Sequence, residues 1–286
     1  MSHRLFVSPH IRRLIDLALD EDDLGFDVTS NAFFKHTAGE AHLVAKQDLV
    51  LAGSQLVGAV FAVVDPDVRW RFSAEDGATI TRGTTFAHAT GNAASLLRGE
   101  RTALNFLQRM SGVATMTRSY ADALGTGRTR ITDTRKTLPG WRELDKYAVV
   151  CGGGTNHRFS LSGGVMVKDN HIAAAGSIAA AVDRVRQTAP HTLRIEVEVE
   201  DLAGVREALD AGVEIIMLDN MSTPAMREAV TLIREHAGDR VFVEASGNVT
   251  LQRLPELSNI GLDFVSSGAL THSVIAADIS MRMAAD

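Results

Sequence analysis

The stretch Ile215-Ile216-Met217-Leu218-Asp219 is a short apolar run that ends in a polar residue, and the second half of the chain repeats this form. The other runs cover residues 130–132, 165–167, 195–197, 241–243 and 264–267. Helical stretches lie between them, and the run ends at Lys168, Glu198, Asp219, Ser246 and Gly268 follow one another at 30, 21, 27 and 22 residues. Repeated strand–helix units of this length predict a parallel sheet with right-handed crossovers.

Six or seven such units indicate an α/β barrel. An open doubly wound sheet is the alternative, but no G-x-G-x-x-G motif follows a first strand. In barrels, polar residues just after the strands line the catalytic mouth, which makes Lys168, Glu198 and Asp219 candidate catalytic residues. Glycine-rich turns after the last two strands are a common phosphate site, and Ser246-Gly247 and Ser267-Gly268 occupy these positions. Ordinary turn glycines are the competing interpretation.

Cations cluster in three nearby segments of an acidic chain. Asp133-Thr134-Arg135-Lys136-Thr137, Asn156-His157-Arg158 and Lys168-Asp169-Asn170-His171 bring six possible cations together, while the formal net charge is −6. Like charges repel unless an anion neutralises them. The pattern predicts a site for phosphate or carboxylate groups, which guanidinium binds through two parallel hydrogen bonds.

Composition limits the class of protein. A length of 286 residues suits one large domain or two modest ones. The pI near 5.9 and an aromatic content of 5% argue against a nucleic-acid partner. Neither a signal peptide nor an apolar run of membrane-spanning length is recognised, and the single cysteine, Cys151, cannot form an internal disulfide. We therefore expect a cytoplasmic protein without a membrane partner; a catalytic role for Cys151 is the weaker alternative to a small residue beside a tight loop.

The two strand-end carboxylates admit several roles. Glu198 and Asp219 could bind Mg²⁺, directly or through water, could bind ribose hydroxyls, or could stabilise a developing positive charge. The competing interpretation is that they form simple salt bridges with the nearby cations. Glu196 and Glu200 share the strand parity of Glu198, which predicts one acidic row facing inward. Lys168 suits either a Schiff-base nucleophile or an anion ligand. His157 and His171 lack a zinc-site spacing.

The first hundred residues predict a different arrangement of secondary structure. Ser8-Pro9 is a helix start, residues 40–90 read as short strands with turns, and a long helix is predicted from about Ala94 to Leu124. Arg101 lies between Leu97 and Leu104 on the apolar stripe of that helix. It therefore either passes the edge of the core or is delivered into an interface or pocket.

The ordered motifs resemble those of the quinolinate phosphoribosyltransferase family, and the match covers nearly the whole chain. The motifs are Gly99–Asn105 (GERTALN), Asp133–Gly140 (DTRKTLPG), Lys146-Tyr147-Ala148, Gly152-Gly153-Gly154, Asn156-His157-Arg158, Lys168-Asp169-Asn170-His171, Glu196–Val199 (EVEV), Leu218-Asp219-Asn220, Glu244–Asn248 (EASGN) and Gly268–Ser273 (GALTHS). No motif position departs from the family pattern, whereas the N-terminal strands match more loosely.

The resemblance implies an α/β fold: an N-terminal α/β sandwich domain, residues 1–110 joined by the tail 272–286, and an incomplete α/β barrel of about seven strands, residues 111–271. It implies a homodimer with shared active sites, in which Arg101 comes from the partner subunit; assembly beyond the dimer is left open. It also implies transfer of phosphoribosyl from 5-phosphoribosyl 1-pyrophosphate to quinolinate, with loss of CO₂, in NAD biosynthesis, with Mg²⁺ as cofactor.

The resemblance also assigns roles to the candidate residues. The dicarboxylate would be held by Arg101 of the partner, Arg135, His157, Arg158 and Lys168. Lys136 would reach towards pyrophosphate, with Lys168 and His171 close by. The 5′-phosphate would bind Ser246, Gly247 and Gly268, with His272 near, and ribose hydroxyls and Mg²⁺ would bind Glu198 and Asp219.

Three rivals remain open on sequence grounds. A molybdenum-transport-associated homologue is expected to lose the quinolinate ligands, which are intact here in Asn156-His157-Arg158. A Schiff-base aldolase would use Lys168, and borohydride would then trap a covalent adduct. A non-catalytic sensor would bind both ligands without releasing CO₂.

Overall fold

The computed structural model describes residues 3–22, 27–34 and 37–284. These described residues form two compact units: those within the ranges 1–118, 137–153 and 270–286 make the first, and those within the ranges 119–136 and 154–269 make the second. The helices are α1 Pro9–Glu21, α2 Val28–Phe33, α3 Ser54–Val64, α4 Ala93–Leu124, α5 Arg142–Cys151, α6 Asp169–Ala175, α7 Ile178–Thr188, α8 Leu202–Asp210, α9 Thr223–Ala237, α10 Leu254–Leu257 and α11 Ala269–His272.

The strands divide between the two units. They are β1 Ala38–Ala45, β2 Leu49–Val50, β3 Arg69–Phe72, β4 Thr79–Ile80, β5 Thr85–Asn92, β6 Arg130–Thr132, β7 Val165–Val167, β8 Ile195–Val199, β9 Ile215–Asp219, β10 Phe242–Ser246, β11 Phe264–Ser266 and β12 Ile279–Met283. Strands β1 to β5 and β12 belong to the first unit, and β6 to β11 belong to the second. The predicted α4 begins within one residue of the expected position.

The first unit contains an antiparallel sheet with the order β12-β1-β5-β3, and a small β2-β4 pair. Its last strand, β12, pairs with its first, β1, with Ala41 opposite Met283. Phe61 of α3 packs against Trp70 of β3, with ring centroids 5.3 Å apart. Helix α4 meets the same ring at Gly99, where a Cβ would lie 2.5 Å from the Phe61 ring. Glycine is therefore required at this close approach.

The second unit is a parallel sheet with the order β6-β11-β10-β9-β8-β7. Helices follow its strands, and their apolar stripes are buried: on α9, Met226, Ala229, Val230 and Ile233 recur at helical spacing. A cavity of about 410 Å³ is lined by residues from all six strands, so the sheet curves around it. This is the incomplete α/β barrel, and the predicted mixed α/β fold class is confirmed.

The barrel has six strands among the described residues, where about seven were expected. The seventh position is a single parallel bridge from Thr155 to Thr132 on β6. Residues 156–164 then lead from this bridge to β7, the opposite edge of the sheet. The polar residues Asn156 and His157 follow Thr155 and interrupt the apolar pattern that a longer strand needs.

No helix among residues 3–22, 27–34 and 37–284 combines the length and the apolar character needed to cross a membrane.

Candidate active site

The carboxyl ends of the parallel strands surround a second cavity of about 600 Å³, here called the mouth. Its lining residues are Thr134, Arg135, Lys136, His157, Arg158, Met166, Lys168, Glu198, Met217, Asp219, Asn220, Ser246, Gly247, Asn248 and Ser266. The strand-end residues predicted from the sequence and the three cationic segments therefore meet in one place. These residues meet because the carboxyl ends of parallel strands all lie at the same edge of the sheet.

One side of the mouth is cationic. Arg135 and Lys136 are exposed in the loop after β6, whereas Arg158 and Lys168 are half-buried. The Arg158 guanidinium donates to the carbonyl oxygen of Gly164 at 2.9 Å. Burial lowers the pKa of Arg158, and the neighbouring charge of Arg135 lowers it further. Both effects disfavour the charged form of Arg158, so an anion bound between Arg135 and Arg158 would reduce the repulsion between their positive charges.

The facing side is acidic. Glu198 lies near the end of β8, and Asp219 is the last residue of β9. Lys168 Nζ lies 3.0 Å from Glu198 Oε2, which ties the cationic side to the acidic side. The Lys168 side chain is 44% exposed, so this ion pair adds little to stability. A weak pair of this kind can exchange partners when a substrate enters.

Two asparagines, Asn220 and Asn248, connect two turns of the mouth through a hydrogen bond, and this pair is here called the brace. The sequence analysis assigned no role to either residue. Asn220 Nδ2 donates to Asp219 Oδ2 at 2.6 Å, and Asn220 N donates to the carbonyl oxygen of Ser246 at 3.0 Å. Asn248 Nδ2 donates to Asn220 Oδ1 at 3.2 Å. The carboxylate after β9 is thereby joined to the turn after β10.

The brace has a left-handed backbone. Asn220 has φ +53° and Asn248 has φ +52°, the two non-glycine residues with positive φ found within the described chain. Gly247, which precedes Asn248, has φ +82°, and a Cβ there would lie 2.1 Å from Asn220 Oδ1. Asn tolerates this conformation better than most residues, so the pairs Asp219-Asn220 and Gly247-Asn248 carried a usable sequence signal.

A buried polar cluster lies deeper in the barrel. His157 Nε2 lies 3.2 Å from Glu196 Oε2 and 3.7 Å from Glu244 Oε1. Asp133 is fully buried and accepts from the backbone N–H of His157 at 2.9 Å. Burial raises the pKa of Glu244 above its usual range, and the nearby Glu196 carboxyl raises it further. The inward acidic row thus consists of Glu196 and Glu198, while Glu200 lies beyond β8 and is exposed.

The remaining predicted residues lie elsewhere. Arg101 is exposed on α4, so its own chain does not cover it, and His272 is exposed at the end of α11. His171 Nδ1 accepts from Lys168 N at 3.0 Å and so caps α6. Gly268 follows β11 and is half-buried. Cys151 is 1% exposed, and burial followed by the charge of Asp76 raises the pKa of its thiol to about 12, which argues against a catalytic thiolate.

The fold and the mouth define a class: α/β-barrel proteins whose strand ends form a site with cations on one side and carboxylates on the other. The known proteins similar to this chain narrow that class. Residues 27–111 match the family model "Quinolinate phosphoribosyl transferase, N-terminal domain", and residues 113–282 match "Quinolinate phosphoribosyl transferase, C-terminal domain". The chain belongs to the quinolinate phosphoribosyltransferase family.

Individual relatives agree with this assignment. The chain is 48% identical over 86% of its length to a probable nicotinate-nucleotide pyrophosphorylase [carboxylating] of Synechocystis sp., of which 83% is covered. It is 43% identical over 95% of its length to a protein of the same description in Bacillus subtilis, of which 92% is covered. The crystal structure of NadC from Streptococcus pyogenes is 43% identical, has a TM-score of 0.92, and shares 98% coverage of each chain.

Proposed function

We infer that the chain transfers phosphoribosyl from 5-phosphoribosyl 1-pyrophosphate to quinolinate and releases CO₂, giving nicotinate mononucleotide and pyrophosphate in NAD biosynthesis. The observation that carries this inference is the two-sided mouth. Cations on one side fit a dicarboxylate and a pyrophosphate, and carboxylates on the other fit a sugar with developing positive charge. Family membership agrees with this substrate pair.

The dicarboxylate site is proposed at Arg135, Arg158 and Lys168. Guanidinium groups match carboxylates with two parallel hydrogen bonds, and Lys168 adds a point charge. Lys168 would leave Glu198, now 3.0 Å away, as the substrate carboxylate enters. Lys136 is proposed to bind pyrophosphate with His171 nearby.

The phosphoribosyl group is proposed to bind at the adjoining turns. Ser246 and Gly247 would hold the 5′-phosphate through backbone N–H groups, together with Gly268, and His272 would lie near it. Glu198 and Asp219 would bind the ribose hydroxyls. The hydrogen bond from Asn220 to Asp219 fixes the direction of that carboxylate.

The proposed transfer and decarboxylation require little proton transfer by the protein. The C1–O bond of ribose breaks and its electron pair leaves with pyrophosphate, while Glu198 and Asp219 stabilise the positive charge that builds at C1. The pyridine nitrogen then donates its lone pair to C1. The C–C bond to the adjacent carboxylate breaks as CO₂ leaves, the quaternised ring stabilises the electron pair left on carbon, and a solvent proton completes the product. Orientation and placement of charge supply most of the rate.

Mg²⁺ is proposed as the cofactor, and the donor set fits it. Glu198 and Asp219 offer the hard oxygen ligands that Mg²⁺ prefers. Lys168 lies at hydrogen-bond distance from Glu198, which favours contact through water over direct contact at that carboxylate. When bound, the ion supplies positive charge to the departing pyrophosphate.

A homodimer with shared sites is proposed on the exposure of Arg101, which leaves it available to a partner subunit. A cytoplasmic location is proposed on the single cysteine, which suits a reducing compartment. To test the sharing, Arg101→Ala subunits, inactive alone, are mixed with inactive Arg135→Ala subunits. Half of the reassorted dimers are mixed and each has one intact site, so about one quarter of wild-type activity should return. Verified exchange without recovery would show that Arg101 acts within its own chain.

The direct test of the reaction measures CO₂ release from carboxyl-labelled quinolinate with 5-phosphoribosyl 1-pyrophosphate and Mg²⁺. Nicotinate is the control, because it lacks the second carboxylate and would leave part of the cationic side unpaired. Its transfer releases no CO₂, so the turnover of the two acceptors is compared by the formation of nicotinate mononucleotide. Release that depends on all three components is expected. Equal turnover of nicotinate, or no release from quinolinate, would refute the proposed function.

A further inference from the structure

A buried ion pair in the first unit is attached to two segments that lie far apart in the chain. Arg109 of α4 donates from Nη2 to both carboxylate oxygens of Asp145 on α5, at 3.1 and 3.2 Å. The Asp145 side chain is fully buried, and the Arg109 side chain is 18% exposed. Asp145 Oδ2 accepts from the backbone N–H of Leu138 at 3.3 Å. Arg109 Nη2 donates to the carbonyl oxygen of Thr271 at 2.9 Å. Each member of the pair thus holds one segment.

Both segments directly follow residues that are proposed to bind the ribosyl donor. Leu138 comes two residues after Lys136, the proposed ligand of pyrophosphate. Thr271 comes three residues after Gly268 and immediately before His272, which are both proposed to lie at the 5′-phosphate. Pyrophosphate and 5′-phosphate are the two ends of one substrate. The ion pair is therefore attached, within a few residues, to the ligands of both ends.

The chain between the ion pair and these ligands has little freedom. Thr137 Oγ1 accepts from Arg142 Nε on α5 at 3.2 Å, so the residue between Lys136 and Leu138 is also fastened to that helix. On the other side, Ala269–His272 form the single helical turn α11. Because consecutive Cα atoms have a fixed separation of about 3.8 Å, a shift of either fastened residue is passed on to its neighbours.

We propose that Arg109 and Asp145 are positioning residues for the ribosyl donor. Through Leu138 and Thr271, their ion pair sets the separation between the groups that bind pyrophosphate and the groups that bind the 5′-phosphate. Ligands that are held at the right separation before the substrate arrives lose less entropy when it binds. The proposal rests on the proposed function, because it takes 5-phosphoribosyl 1-pyrophosphate as the substrate of these segments. Neither Arg109 nor Asp145 is among the residues that line the mouth.

Stability alone does not explain this ion pair. Removal of two charged groups from water is costly, and replacement of a buried pair by apolar residues of similar size often leaves the free energy of unfolding unchanged or raises it. Arg109 Nε is buried and has no hydrogen-bond partner within the described chain, which adds to the cost. Apolar side chains could fill the same space. They could not supply a donor for the carbonyl of Thr271 or an acceptor for the N–H of Leu138.

The test separates position from stability with a double apolar variant. Asp145→Leu alone leaves the Arg109 guanidinium without its carboxylate, so Tm should fall by roughly 10 °C. Arg109→Met combined with Asp145→Leu removes both charges, and Met can still pack on the Trp141 ring, whose centre is 5.6 Å from the guanidinium carbon. Tm of the double variant should therefore return to within about 4 °C of wild type.

Steady-state kinetics of the same variants report on position. In the double variant, kcat/KM for 5-phosphoribosyl 1-pyrophosphate should fall about 10- to 100-fold, the effect of a misplacement near 1 Å. KM for quinolinate should change less, because two of its proposed ligands, Arg158 and Lys168, lie on other segments. Tyr147→Phe is the matched control on α5, since it removes a hydrogen bond of 2.8 Å to Asp76 that is attached to neither segment. It should lower Tm and keep kcat/KM for both substrates.

The outcomes distinguish this role from the proposed function. Recovery of both Tm and kcat/KM for the ribosyl donor in the double variant would overturn the positioning role, because the pair would then serve stability alone. Equal losses for the two substrates, or a similar loss in Tyr147→Phe, would also overturn it. If the double variant does not fold, Asp145→Asn decides: it keeps the shape but only one acceptor oxygen, and unchanged use of the ribosyl donor would refute the role. Failure of the proposed function shows earlier, as a wild-type protein that does not turn over the ribosyl donor with quinolinate.

Discussion

Gly247→Ala tests whether the brace between the two turns of the mouth holds the phosphoribosyl site. Gly247 has φ +82°, a region that costs an L-residue roughly 1–2 kcal/mol. For a protein of this size, a loss of that order lowers Tm by about 2–8 °C. The new Cβ would also lie 2.1 Å from Asn220 Oδ1 and 2.9 Å from Asn220 N, so Asn220 must move.

Movement of Asn220 has a calculable effect on substrate binding. Its side chain donates to Asp219 at 2.6 Å, and a hydrogen bond to a charged group is worth about 1.5–3 kcal/mol. Loss of that interaction corresponds to about 10- to 100-fold, since 1.4 kcal/mol is tenfold. We expect kcat/KM for 5-phosphoribosyl 1-pyrophosphate to fall by that factor, while KM for quinolinate changes much less.

Gly125→Ala is the matched control for the backbone effect. Gly125 has φ +71°, and a Cβ there meets nothing within 4 Å. Gly125→Ala should lose the backbone term alone in thermal unfolding, and Gly247→Ala should lose more because it also displaces Asn220. Only Gly247→Ala should lose use of the ribosyl donor in steady-state kinetics. If the two variants keep equal kcat/KM for that substrate, the brace has no functional role and the reasoning is refuted.

Three further changes have outcomes that follow from single contacts. Lys168→Ala should lower kcat/KM for quinolinate about 10- to 100-fold with little change in Tm, because its pair with Glu198 is partly exposed; a collapse of Tm would make Lys168 structural. Cys151 should resist thiol reagents in the folded protein at pH 8. Because the pKa of its thiol is about 12 in the folded protein and 9.0 ordinarily, its contribution to the free energy of unfolding should be complete below pH 9 and lost as the pH rises towards 12. Cys151→Ser should flatten that alkaline decline in unfolding measurements, and an unchanged decline would assign it to other groups. Asp263→Ala should cost about 3–5 kcal/mol in denaturant unfolding, because the buried carboxylate accepts from Arg234 at 2.7 Å; KM values near wild type are expected, and altered ones would place Asp263 in the site.

The barrel could be predicted because its strands are local sequence features. Each short apolar run with a polar end became a strand whose end faces the mouth, as Asp219 shows. Parallel order then brings the ends together without further information. The count of strands was less certain, because Thr155 contributes one bridge whose partner, Thr132, lies 23 residues earlier in the chain.

The details of the site needed the structure. No sequence pattern shows that His157 turns its ring into the barrel, because this depends on carboxylates from two non-adjacent strands, Glu196 on β8 and Glu244 on β10. The apolar stripe near Arg101 left two alternatives equally open, a side chain that passes the edge of the core and one delivered into an interface or pocket, and the exposure of Arg101 in its own chain fits both. Helical spacing gives the face of a helix but not the surface that covers it.

The pairing of β1 with β12 has a consequence for how the protein is made. Ala45 lies opposite Ile279, so the ribosome must add 234 residues after β1 before its partner strand exists. At the usual elongation speed this interval is roughly 10–50 s. Throughout it, one edge of β1 presents unpaired N–H and C=O groups, the kind of edge that joins to other chains. The nascent first unit is therefore expected to bind chaperones that protect exposed strand edges. A truncated message that lacks β12 would leave this edge of β1 unpaired permanently.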